Sequence, residues 1–303
     1  MKYLRLLFFL CVATAAHAQI SVTVSIKQRF HLLHEPVVAT VNVTNLAGRD
    51  ITLSDSPQYQ WFGFRIMADG DRMIPPRSLD YHLPPLNVKA GETVKRSVNL
   101  NELYEMGETG TFRIQASIYY DGLDKFFTSR PTHIEVNEGH VLWRKIAGVP
   151  AGQPGAGQMR VFSLLTHQVG ESNTLYVRVE GQDDGMIYCT FPIGRLLDGV
   201  EPQAEFDSAD NLYVLHLIGM RAYVLTKVTS SGEFGGQVNY SAPKTRPTLR
   251  RTAAGALQII GGRREAAVAQ NQPPAEPPKL SDRPPRFPEE LNAGSTRLAP
   301  CNC

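Results

Sequence analysis

Between residues 19 and 137 apolar side chains return at every second position, and that period constrains the chain to strands. Val37, Ala39, Val41 and Val43 share one side of a run whose other side carries Val38, Thr40 and Asn42. Successive side chains of an extended chain point to opposite faces, so such a run buries one face and wets the other. Val22, Val24 and Ile26 repeat the pattern, as do Phe62, Phe64 and Ile66, then Val94, Val98 and Leu100. Phe112, Ile114, Ala116 and Ile118 follow, then Ile134 and Val136, with Ile51 and Leu53 as a short weaker set. Asp69-Gly70 suits a tight turn, and Asn101–Met106 reads as one helical turn closed by Gly107. About seven strands in such a stretch is the count of an immunoglobulin-like sandwich. No cysteine falls between residues 19 and 137, so the sheets must hold together by packing alone.

The segment FHLLHEPVVATVNVTNLAGRDITL, residues 30–53, resembles the opening of bacterial Ig-like domains of the BsuPI type, the intracellular proteinase inhibitor fold. LPPLNVKAGETVKRSVNLNEL (83–103) and GTFRIQASI (110–118) are similar to later strands of that family. The resemblance implies a sandwich and, more remotely, inhibition of a proteinase. One departure is His34, which stands where the family commonly has glycine.

Residues 138–262 read as a second β module. Leu175-Tyr176-Val177 returns as Leu212-Tyr213-Val214, a shift of 37, and Gly255–Ile259 offers a third copy. A period of about 40 residues with two or more strands per unit is the mark of propeller blades. FDSADNLYVL (206–215) resembles the NHL-like propeller repeat, with Asp210 in place of its glycine. Closed propellers typically need about 4–8 blades, more than this stretch holds, so a small sandwich is the alternative. Residues 263–303 carry eight prolines and one aromatic residue, Phe287. Such a composition cannot bury enough apolar surface to offset its ordering entropy, and a disordered tail is expected.

Residues 1–18 have the form of a secretory signal: Lys2 and Arg5, an apolar run over Leu6–Ala16, and Ala16-His17-Ala18 for cleavage after Ala18. The run is about eleven residues, against roughly 20 for a bilayer span, so no membrane anchor is expected to remain. Phe9 and Leu10 before Cys11 do not suit a lipidation site. A secreted or periplasmic protein is expected. Without Lys2 and Arg5 the basic residues fall from 31 to match the 29 acidic ones, which gives no support for a nucleic-acid partner.

The candidate chemistry is sparse. His31, His34 and Glu35 match no zinc-peptidase spacing, and Pro36 with the alternation after it favours exposed loop histidines. Asp69, Asp71, Asp121, Asp124, Asp183 and Asp184, and the set Asp207, Asp210 and Asn211, are carboxylates of turns with no EF-hand spacing. Cys189 lies in an apolar strand pattern and reads as a core thiol; a nucleophile would need His167 or His216 beside it. Lys244, Arg246, Arg250 and Arg251 suit a solvated strand face. Cys301 and Cys303, near the end of the tail, could form disulfides to another chain or tether the protein. No cofactor, metal site or catalytic set is expected.

The expectation is therefore a mainly β, non-catalytic protein that binds or scaffolds in a bacterial envelope or outside the cell. Its partner would be a protein or a glycan, and it could act as an oligomer. The alternatives are a BsuPI-like proteinase inhibitor and, further off, a metal-dependent or cysteine hydrolase.

Overall fold

The computed structural model describes residues 19–265, apart from 79, 80, 154, 171 and 253–255. The signal segment with Cys11, the Pro-rich tail beyond residue 265, and Cys301 and Cys303 lie outside the described residues. The chain is mainly β, in two modules of sheets that are antiparallel except where β2 pairs β11 in parallel.

The first module contains β1 (Ile20–Ile26), β2 (Phe30–Leu32), β3 (Val38–Asn45), β4 (Ile51–Leu53), β5 (Phe62–Ala68) and β6 (Arg72–Met73). It continues with β7 (Leu86–Val88), β8 (Thr93–Asn99), α1 (Leu100–Leu103), β9 (Gly110–Tyr120), β10 (Lys125–Thr128) and β11 (Thr132–Asn137). One sheet runs β1-β3-β8. The facing sheet runs β2-β11-β9-β5-β6, with β10 also on β9, and β4 pairs β7 at the side. Alternation in the sequence becomes alternation in burial: along β3 every second residue is buried, and Ala39 and Val41 have no exposed surface. Trp61, Phe62, Ile66, Phe112, Ile114 and Ile118 meet them from the other sheet in one continuous core.

His34 and Asp210 hold left-handed turn conformations without being glycine, with φ +67 and φ +54. At the open edge of β5, the buried Tyr104 hydroxyl accepts from Phe64 N at 2.8 Å and donates to Phe64 O at 2.9 Å. A side chain thus satisfies backbone groups that a neighbouring strand would otherwise pair.

The second module opens with a four-stranded meander: β12 (His140–Gly148), β13 (Met159–Val169), β14 (Ser172–Gly181) and β15 (Ile187–Leu196). A second meander holds β16 (Gln203–Phe206), β17 (Leu212–Gly219), β18 (Ala222–Val228) and β19 (Phe234–Ser241). β20 (Thr248–Arg251) and β21 (Leu257–Ile260) form a hairpin, and β22 (Arg263–Arg264) adds to β19. The two meanders share one core, with Phe162, Leu164, Leu175 and Val177 against Phe206, Leu212 and Val214. The Leu-Tyr-Val repeat falls on the third strand of one meander and the second of the other. It is therefore not a repeat of structural units: any buried central strand with alternating faces acquires such a pattern.

Tyr104→Phe removes both bonds to Phe64 and leaves buried backbone groups unpaired. Urea unfolding should show a loss of about 1–3 kcal/mol.

Candidate functional site

Two places stand out, one buried and one exposed. The buried place is the joint between the modules. Leu32 of β2 packs on Leu165 of β13 and Tyr176 of β14, all three nearly free of solvent. Polar groups surround this apolar contact. The Glu35 carboxylate accepts from Leu32 N at 2.9 Å and from Gln28 Nε2 at 3.2 Å. The Tyr176 hydroxyl of the other module lies close enough to act on the same carboxylate. Arg178, next to it on the same strand, donates to Leu33 O at 2.5 Å. The His31 ring sits beside this carboxylate, with Nε2 3.1 Å from Gln28 O and Nδ1 3.8 Å from Glu35 Oε2.

His31 is 2% exposed, so the exposed-loop reading of this histidine fails. It lies in β2, paired in parallel with β11, and is covered in part by residues from the second module. His34 is half-buried near Arg178. His167 packs its ring edge on Tyr176 at 6.3 Å between centroids, and its Nε2 is buried without a hydrogen-bond partner. Burial is the main cause that lowers the His31 pKa from 6.5 to about 4, and the nearby His167 adds to it. Burial likewise raises the Glu35 pKa, against the pull of its donors.

The other candidates separate. Cys189 is held beside Val179, Arg160 and Gly232, with no histidine among the groups that act on its thiol. Burial pushes its pKa up to about 12, which keeps it protonated and a poor nucleophile. His216 lies under Gly194 in the core of the second module, its pKa lowered by burial to about 4 and both ring nitrogens without partners. Asp71 pairs with Arg113 at 2.6 Å, Asp69 accepts from Thr111 N, and Asp184 accepts from Met186 N. Asp207 organises its own turn, with Oδ1 accepting from Ala209 N and Asn211 N at 2.9 Å. Asp121 and Asp183 are exposed turn residues. Among the described residues no three His, Cys, Asp or Glu side chains converge as a metal site. Arg251 ties its hairpin to Glu205 and Phe206 O, Arg246 lies over the Tyr223 ring, and Lys244 and Arg250 are exposed. No helix of the described residues is long and apolar enough to cross a membrane.

The exposed place is an aromatic cluster at one end of the sandwich. Tyr119 of β9 and Phe126 of β10 are opposite one another in register, with ring centroids 5.0 Å apart. Tyr59 packs on both, at 5.0 and 5.1 Å. Tyr119 is the buried base, whereas Tyr59 is 43% and Phe126 45% exposed, with Leu123 also exposed in the adjoining turn. The loop bearing Tyr59 is pinned, because Ser56 Oγ accepts from Tyr59 N at 3.0 Å and Ser56 N donates to Tyr59 O at 2.8 Å. Tyr119 donates to Asp124 at 2.9 Å. Sequence reasoning missed this cluster, although Tyr119-Tyr120 and Phe126-Phe127 signal it. Adjacent residues of a strand face opposite ways, so one ring of each pair must point outward.

No family model, curated protein or solved structure matches this chain.

Two outcomes follow from the buried groups. The unfolded chain protonates His31 near 6.5, and the folded ring resists until about pH 4. Its stabilisation is thus complete above the first value and is lost as pH falls through the second. Glu35 opposes part of this, since its folded carboxyl takes up a proton before the unfolded one. Urea titrations should show stability falling across that window, and His31→Gln should flatten the fall by on the order of 1–3 kcal/mol. Peptide mapping after thiol alkylation should find Cys189 labelled about a thousand-fold more slowly in the native protein than in urea.

Proposed function

We propose that this chain is a non-catalytic binding protein of a bacterial envelope or its surroundings, working through the outer face of its Ig-like sandwich. The observation that carries the reading is the aromatic cluster. Tyr59 and Phe126 stay exposed on a rigid sheet and a pinned loop, although the module has an ample core for its other rings. Large aromatic side chains held in one conformation bind at low entropic cost and dominate many interfaces. The joint supports the same reading. A buried carboxylate with the other module's tyrosine hydroxyl beside it and a guanidinium crossing between the modules favour two bodies held in a fixed relation, as a scaffold requires. The resemblance of residues 30–53 to BsuPI-type domains is compatible with a sandwich used for recognition, and no described feature favours proteinase inhibition over other binding.

The test uses the full chain against washed envelope fractions of a bacterial source. Binding is expected, and Tyr59→Ala with Phe126→Ala should weaken it about tenfold or more while leaving the unfolding midpoint nearly unchanged. Equal binding by the double variant would remove the aromatic cluster from the function.

A further inference from the structure

The surroundings of the aromatic cluster narrow the kind of partner it fits. Tyr119, Ser117 and Gln115 follow one another on the outer face of β9, since Ile118, Ala116 and Ile114 are buried in the core. Register places Thr128 of β10 and Gly63 of β5 on either side of Ser117. Thr128, Ser117 and Gly63 thus form a row of small residues across three strands, one step of about 7 Å along the sheet from the rings. A Cβ on Gly63 would meet nothing nearer than the Tyr104 hydroxyl at 3.9 Å, so internal packing does not require glycine there. Its backbone lies outside the left-handed region, so turn geometry does not require it either. The glycine leaves the sheet face bare beside the projecting rings. In the next row Gln115 lies opposite the exposed Arg65.

We infer that this face, rings and hollow together, is a docking site for an extended neutral glycan chain. The inference rests on the binding role proposed above and names its ligand class. A pyranose ring presents a face of C–H groups that suits the negative face of an aromatic ring, and Tyr59 and Phe126 offer such faces. Its rim of hydroxyls suits uncharged hydrogen-bonding groups: Ser117 and Thr128 provide hydroxyls one row from the rings, and Gln115, whose Nε2 donates to Ser129 O, provides an amide oxygen a row further on. Among the described residues no cluster of one charge sign faces the rings: Asp124 is bonded to the Tyr119 hydroxyl, Lys125 turns to the Phe127 ring on the opposite side of β10, and Arg65 stands two rows away, which favours an uncharged ligand over an anionic or cationic one. A flat shelf with a hollow one residue deep lets a linear chain run from the rings across the sheet. The apolar part is three rings and Leu123, small against the apolar centre of a standard protein interface of about 1,600 Å².

The experiment is calorimetry of the full chain with neutral hexasaccharides of β-linked glucose, xylose, mannose and N-acetylglucosamine. Binding of at least one is expected in the micromolar to millimolar range. Phe126→Ala should weaken it about tenfold or more. Gly63→Val, which fills the hollow without touching a ring, should weaken it by a similar factor. Absence of binding to all four, or binding that neither variant alters, overturns the inference. Pretreating envelope fractions with proteinase K separates it from the broader reading. Capture that is abolished by the protease and depends on the rings means a protein partner, which overturns the glycan site and leaves the binding role. No ring-dependent capture by any fraction, treated or untreated, overturns both.

Discussion

The carboxylate of Glu35 is the point at which the two modules become one object. It is 4% exposed and therefore cannot be left to water. A buried carboxylate is tolerated only where donors converge on it. Its two donors, Leu32 N and Gln28 Nε2, come from β2 and the residues before it, and the Tyr176 hydroxyl, more than a hundred residues on, lies beside it. The second module also reaches the turn before β3 directly, through Arg178 donating to Leu33 O. The joint therefore resists separation by a polar penalty in addition to the apolar contact of Leu32, Leu165 and Tyr176.

This joint is where the sequence was least legible. His31, Leu32 and Glu35 sit in a short segment whose local signals describe only a turn. Their burial is caused by side chains on β13 and β14, and a local pattern carries no trace of a cover so distant. The strands of the first module were legible for the opposite reason. Each buries one face against the other sheet of the same module, so every strand writes its own burial into alternate residues, as β3 and β9 do.

The other misses have similarly specific causes. β10 is four residues long with one buried position, Phe127, too short to display a period. Tyr59 belongs to a loop held by Ser56 and has no periodicity. The Leu-Tyr-Val repeat of the second module reflected how central strands are built rather than how units recur. His34 and Asp210 take left-handed backbone conformations that usually fall to glycine. Strain of this size, about 1–2 kcal/mol for a residue without glycine's freedom, is borne by the packing around the turn.

Among the described residues two joined modules carry an exposed aromatic face, Tyr59 and Phe126, which is the proposed seat of a partner. Hydrogen–deuterium exchange of the full chain, with and without saturating envelope fraction, tests this most directly. Slowed exchange over residues 59–65 and 115–128, with the second module unchanged, is expected. Protection confined to residues 138–262 would place the partner elsewhere and overturn the aromatic site.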